Sequence, residues 1–336
     1  MKNMPKVKKM WVVLISALLM LSLVIVGCNA NNKTEQSKKG KYPEKPLTMV
    51  IPFGAGGGTD QVARMLAGIM EKDFGQPIIC VNKTGGAGAI GYTETANAKP
   101  DGYNIVLSTS NISTIKATGN SQLTYQDFEP IIAVNFDAPA LMVKADSPYK
   151  TAKELLDYAK KNPKKLNVGT GTPGGLWHVG VIKLEKEAGV LFNIVPSTTG
   201  GASASVSLLG GHVDAIVIPP NEAIAQIKSG EFRMLGTMTP ERLKDFPDVP
   251  TFNEMGYNVV ILSLRGYLAP KGTPAEVVKV LHDHLKKAME NEKYINYMKD
   301  QVSNIIYMDS AKYKEYLAKE YESYTKLIEE AGLAKK

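Results

Sequence analysis

Apolar positions in this chain fall into two kinds of segment: short continuous runs of strand length, and longer stretches in which they recur every three or four residues. "LTMVIPF" (47–53) predicts a buried strand, followed by an amphipathic helix over 59–74. "QPIICVN" predicts a second strand, "KTGGAGAIG" a turn into a short helix, and "YNIVLSTS" a third strand. "FEPIIAVN" and "APALMVKA" are extended runs flanking Asp137. The alternation then restarts, with helices over 151–161, 176–188, 202–209 and 222–229 interleaved with the strands "KLNVGT", "LFNIVPS", "VDAIVIP" and "FRMLGTM". After the loop "TPERLKDFPDVPT" and the apolar run "VVILSLRGYLAP", helical periodicity covers 274–290, 292–301 and 310–331, with "VSNIIYM" read as a separator. Repeated strand–helix units of this length predict an α/β protein with parallel sheets covered by helices.

Three of the strand-to-helix junctions share one composition. "GAGGGT" places Gly54, Ala55, Gly56, Gly57, Gly58 and Thr59 ahead of the first helix, with Asp60 in its first turn. "NVGTGTPGGLWH" carries Thr170, Gly171, Thr172 and Gly174, and "PSTTGGASAS" carries Thr198 and Thr199 before two glycines. Glycines leave backbone N–H groups unobstructed, and the start of a helix adds the positive end of its dipole, so such junctions suit a carboxylate or phosphate. A tight turn needing positive φ is the plainer alternative, although one or two glycines suffice for that. Thr59, a hydroxyl residue just before the amphipathic run, is expected to cap the first helix. Gly169, Gly171 and Gly174 match a dinucleotide fingerprint in spacing, but the following strand ends in Ser197 and Thr198 without the carboxylate that would hold a ribose.

The N-terminus adds a compartment. Lys2, Lys6, Lys8 and Lys9 precede an uncharged apolar run that ends in "IVGC", the pattern of a lipoprotein signal in which Cys28 receives the lipid. Residues 1–28 are therefore read as signal peptide, and 29–45, rich in Asn, Lys and Ser, as a flexible linker. The chain of 336 residues has a formal net charge of +7, of which the leader holds four lysines. The segment "NANNKTEQSKKGKYPEKP" adds five Lys and two Glu, leaving the folded body near neutral. Nothing in that balance, nor any basic stripe with interleaved aromatics, points to nucleic acid. Cys80 is the one cysteine left, read as a small hydrophobe in an apolar strand.

Catalytic sets are missing. His282 and His284 are two apart on a helix and cannot chelate, and His212 lies in a helix-to-strand turn. His178, in the first turn of its helix, either faces a cleft or bonds backbone. No CxxC, HExxH, EF-hand or GxSxG pattern occurs, so neither metal nor cofactor is expected and binding is preferred over catalysis. An extracytoplasmic enzyme and a sensory receptor remain the alternatives.

Several motifs taken together resemble the receptors of tripartite tricarboxylate transporters, the TctC or Bug-type solute receptors. They are "YPEKPLTMVIPFGAGGGTDQVARMLA", "QPIICVNKTGGAGAIG", "AKPDGYNIVLSTS", "LLGGHVDAIV", "FPDVPTFNEMGY" and "RGYLAPKGTP", in order from Tyr42 onward. The resemblance implies a two-lobed, Venus-flytrap periplasmic-binding-protein fold of type II-like connectivity, with lobe one from 46–138 plus 266–336 and lobe two from 139–265. It implies a monomeric, membrane-tethered receptor that hands a small organic anion, a di- or tricarboxylate, to membrane permease subunits. It further implies ligand contact from Phe53 to Asp60 in lobe one and from Thr170, Gly171 and their neighbours in lobe two, with the His178 helix behind them and Ser110 and Asn111 as additions. Two positions depart from the family pattern. "PSTTGG" replaces an aromatic with Ser197, and Arg265 stands where many members carry an apolar or aromatic residue, although an arginine there resembles the tricarboxylate-type branch. Arg265 either pairs with a ligand carboxylate or braces the hinge through backbone carbonyls.

Overall fold

The computed structural model describes residues 42–197 and 201–335; the leader with Cys28, residues 29–41 of the linker, and Thr198 and Thr199 lie outside the described residues. The first sheet contains β1 (Leu47–Ile51), β2 (Ile78–Asn82), β3 (Asn104–Ser108), β4 (Phe128–Asp137), β10 (Ser263–Pro270) and β11 (Asn304–Met308), in the order β11-β4-β10-β3-β1-β2. The second contains β5 (Ala140–Lys144), β6 (Asn167–Thr170), β7 (Asn193–Pro196), β8 (Ala215–Ile218) and β9 (Phe232–Thr237), in the order β7-β6-β8-β5-β9. The chain thus leaves the first sheet after Asp137, builds the second, and re-enters the first at Ser263. Two sheets with separate cores make two lobes.

The helices are α1 (Gly58–Phe74), α2 (Ala89–Ala96), α3 (Ala152–Lys161), α4 (Leu176–Ala188), α5 (Gly201–Leu209), α6 (Ile224–Lys228), α7 (Ala275–Met289), α8 (Glu292–Asp300) and α9 (Ser310–Glu330). Local chemistry explains several of their ends. Thr151 and Glu154 form a reciprocal capping box at the start of α3. Gly75 closes α1 in the left-handed conformation at φ 74°. Asp309 accepts from the Lys312 amide at 2.9 Å to start α9. Among the described residues no helix is long and apolar enough to cross a membrane.

Both sheets are mixed rather than parallel. β1, β2 and β3 are mutually parallel, but β10 runs antiparallel to both β3 and β4. In the second sheet β5 is antiparallel to β8 and β9. The reason is connectivity. β5 and β10 are each entered directly from the other lobe, and a strand reached without a helical crossover escapes the rule that makes βαβ units parallel. "VSNIIYM" also differs from expectation, since residues 304–308 pair antiparallel with β4 as an edge strand.

Val50, Val106, Ile112, Phe128, Leu264 and Leu268 pack the first lobe's core, where Tyr313 and Leu317 of α9 join them. Tyr324, Leu327 and Ile328, on the C-terminal half of the same helix, pack with Leu155, Val168, Leu184 and Val217 of the second lobe. One helix is therefore shared by both cores, beside the strands that cross between them.

Candidate functional site

The three glycine junctions come together. A cleft of about 570 Å³ is lined by Phe53, Gly54, Ala55, Gly57, Gly58, Thr59 and Asn111 from the first lobe. From the second lobe come Gly171, Thr172, Gly175, Leu176 and Trp177, together with Gly201, Ala202 and Glu222. Ser263 and Arg265, on the strand that re-enters lobe one, complete the wall. The size suits a small organic molecule.

The loop before α1 owes its shape to its own hydrogen bonds. Gly56 turns the chain at φ 78°, a conformation glycine adopts without strain. The Gly56 amide donates to Asp60 Oδ2 at 2.9 Å, and Asp60 Oδ1 accepts from Arg64 Nε and Asn82 Nδ2, each at 2.9 Å. Burial pushes the Asp60 carboxyl up, but these three donors outweigh it and hold the group below its ordinary pKa. Asp60 is thus buried under the loop as a clamp. Gly57, not Thr59, is the N-cap of α1, because the helix already begins at Gly58. Thr59 is left in the first turn, where its Oγ1 accepts from Arg265 Nε at 3.1 Å.

Helices α1 and α4 both begin after a glycine, and no side chain caps either. Their first-turn N–H groups, at Gly58 and Thr59 on one side and at Leu176 and Trp177 on the other, belong to residues that line the cleft. The start of α5 differs: the Gly201 amide and the Trp177 indole both donate to the Glu222 carboxyl. A Cβ built on Gly201 would lie 1.9 Å from Glu222 Oε2, so only glycine permits that approach.

Arg265 is buried at the junction of the lobes. Its Nη1 lies 2.7 Å from Asp137 Oδ2, and Asp137 Oδ1 accepts from Ser303 Oγ at 2.8 Å. Its bracing partners are therefore a carboxylate and the Thr59 hydroxyl rather than backbone carbonyls.

Several expected residues sit behind the wall. Thr170 is fully buried and its hydroxyl donates to the Val217 carbonyl at 3.2 Å. His178 Nδ1 accepts the Gly174 amide at 2.9 Å, and burial holds the imidazole below its ordinary pKa. Ser110 is buried, with its Oγ 3.1 Å from the Leu262 carbonyl and 2.5 Å from Glu320 Oε1. Gly56 and Gly174 shape their loops, and Asn111 reaches the cleft. Asp137, Trp177 and Glu222 were not singled out by sequence reasoning. A lone carboxylate inside the apolar run around Asp137 was the one available signal that a cationic partner must exist.

The fold and the cleft define a class: two-lobed extracytoplasmic solute-binding receptors. A family model described as "Tripartite tricarboxylate transporter family receptor" matches residues 62–333. The chain belongs to that TctC family. It is 34% identical over 308 residues to a Cupriavidus necator protein described as "UPF0065 protein in gbd 5'region", covering 89% of this chain and 91% of that one. A crystal structure of a TctC solute binding protein from Polaromonas superposes with a TM-score of 0.78 at 35% identity, covering 86% of this chain and 99% of the other. The periplasmic binding protein BugD superposes with a TM-score of 0.73 at 32% identity, covering 88% and 100%. No metal-binding cluster of His, Cys, Asp or Glu occurs among the described residues.

Proposed function

We propose that this receptor captures a small organic anion, a di- or tricarboxylate, between its lobes and delivers it to the membrane permease of a tripartite transporter. The carrying observation is the pair of uncapped helix starts, α1 and α4, whose first-turn residues line one cleft from opposite lobes. Backbone amides and helix dipoles favour negative charge without supplying a nucleophile or general base, which suits retention of a solute unchanged. The hydroxyls of Thr59 and Thr172 and the amide of Asn111 provide further donors around the cleft. The "IVGC" leader supports lipidation at Cys28, so that a monomeric receptor stays tethered outside the cytoplasm beside its permease.

The test is a thermal-shift screen of the compact unit that begins at Pro43, with mono-, di- and tricarboxylates, amino acids and neutral sugars as probes. A carboxylate at ~1,000 times its dissociation constant adds about 4 kcal/mol and a clear rise in melting temperature. A rise with neutral compounds alone would overturn the anion reading. Recovery of chemically altered probe would overturn the receptor reading in favour of an enzyme.

A further inference from the structure

Glu222 is the one acidic side chain among the described residues that line the cleft. It lies in a short 3₁₀ turn, Pro220–Ala223, at the end of β8, and Pro219 accepts its backbone amide at 3.1 Å. Its carboxyl lies over the start of α5, where it accepts from the Gly201 amide and the Trp177 indole. The protein's own carboxyl therefore occupies the Gly201 amide, at the described end of the third junction.

Among the described residues, the one cation that lines the cleft is already balanced by a carboxylate. Arg265 on β10 is paired at 2.7 Å with Asp137 on β4, and those two are the charged groups that lobe one turns toward Glu222. On α4, burial holds the His178 imidazole below its ordinary pKa, and its Nδ1 is committed to the Gly174 amide. On α1, Asp60 is turned to Arg64 and Asn82 beneath the loop. An ionised Glu222 and an ionised ligand would face each other across one small cleft whose guanidinium is already paired, with only neutral donors to offset the repulsion, and the cheapest relief is a proton.

We propose that capture of a carboxylate is coupled to uptake of one solvent proton by Glu222, whose carboxyl in its acid form donates a hydrogen bond to the bound anion. This rests on the reading of the cleft as a carboxylate site. Burial first, and the charge of Asp137 next, already push the free carboxyl up to about 7, so the proton is available near neutrality. Glu222 is then a specificity residue. It accepts an anion by becoming neutral and rejects it when the medium is too alkaline to supply the proton.

The experiment is calorimetric titration of succinate and citrate into the unit beginning at Pro43, in two buffers of different ionisation enthalpy, between about pH 7 and pH 9 where the probes hold their charge. The expected result is net proton uptake on binding and an affinity that falls up to about tenfold per pH unit above neutrality. Glu222→Gln, which keeps the shape and a permanent N–H donor, should bind without proton uptake and with an affinity that no longer depends on pH. Trp177 is the only tryptophan after the leader, so its emission reports binding in the same samples. Proton uptake in the unaltered protein is read independently of whether the variant folds. Binding without proton uptake would overturn the proposal, as would complete loss of affinity in a folded Glu222→Gln, which would mean that the ionised carboxylate accepts a ligand donor. Absence of any carboxylate binding to the unaltered protein at any pH would overturn the anion reading itself, and this proposal with it.

Discussion

Arg265 Nη1 and Asp137 Oδ2 are 2.7 Å apart on the two strands that connect the lobes. Asp137 is the last residue of β4 before the chain enters the second lobe, and Arg265 is the third residue of β10 after it returns. Both side chains are almost fully buried, and the same guanidinium holds the Thr59 hydroxyl at the start of α1. One ion pair therefore links the two connecting strands to the first turn of α1.

Removing one member of that pair strands the other in a place where water cannot solvate it. Arg265→Met should lower the unfolding free energy by about 3 kcal/mol, measured by urea denaturation without ligand. Adding Asp137→Asn to the same chain should restore much of the loss, because no uncompensated charge then remains. If Arg265→Met were as stable as the parent, the arginine would be free to serve a ligand rather than the hinge.

Gly58 allows stability and binding to be separated. A Cβ there would meet only Arg265 Nη2, at an ordinary 3.5 Å, but it would project from the first turn of α1 at the cleft wall. Gly58→Ala should leave unfolding within about 0.5 kcal/mol of the parent. Its anion affinity should fall at least about tenfold, because the methyl group keeps the ligand from the amides behind it. Unchanged affinity would remove these amides from the site.

Gly201 makes the opposite case. A methyl group built there would lie 1.9 Å from Glu222 Oε2, and 3.0 Å from Ile218 Cγ2. Gly201→Ala should cost about 1–3 kcal/mol by expelling the carboxyl from the helix start. Glu222→Ala should relieve part of that cost, so a double-mutant cycle on thermal unfolding should give a coupling above about 1 kcal/mol. Additive losses would mean that the two residues do not touch.

What the sequence disclosed and what it hid follow from where the information lies. The junctions at Gly54–Thr59 and Thr170–Gly174 were legible because a run of glycine between an apolar run and an amphipathic one is a local statement about backbone. The placement of α4 was equally local, its apolar face repeating from Leu176 to Ala188. Residues 304–308 were read as a separator because five residues between two helices give period-two alternation little room to register; the edge strand exists through its pairing with β4. Asp137 and Glu222 gain their roles from partners that adjoin them only in the fold: Arg265 for the first, Gly201 and Trp177 for the second. No periodicity in one chain announces such meetings.

Glu320 offers a pH test independent of any ligand. It is buried in the middle of α9, the helix shared by both cores, with Ser110 Oγ at 2.5 Å and Ser113 Oγ at 2.7 Å. Ser110 Oγ also lies 3.1 Å from the Leu262 carbonyl, and it accepts from the Leu264 amide at 2.9 Å. A hydroxyl has one hydrogen, and the Leu262 carbonyl already accepts from the Tyr324 hydroxyl at 2.8 Å, so Ser110 is left to donate to the Glu320 carboxyl. Burial pushes the Glu320 carboxyl from 4.5 up to about 7, against the opposing pull of its hydrogen bonds with Ser110, Ser113 and Tyr316. Because the folded value is the higher one, this group's favourable contribution is fully present below 4.5, where both states are protonated, and is lost as pH rises through about 7. The shift corresponds to about 3 kcal/mol. Glu320→Gln reproduces the donor and acceptor of the neutral acid without a titrating proton. It should therefore match the parent in urea denaturation near pH 4 and exceed its stability by up to about 3 kcal/mol near pH 8. A difference between the two proteins that did not change with pH would show that Glu320 is ionised in the folded protein.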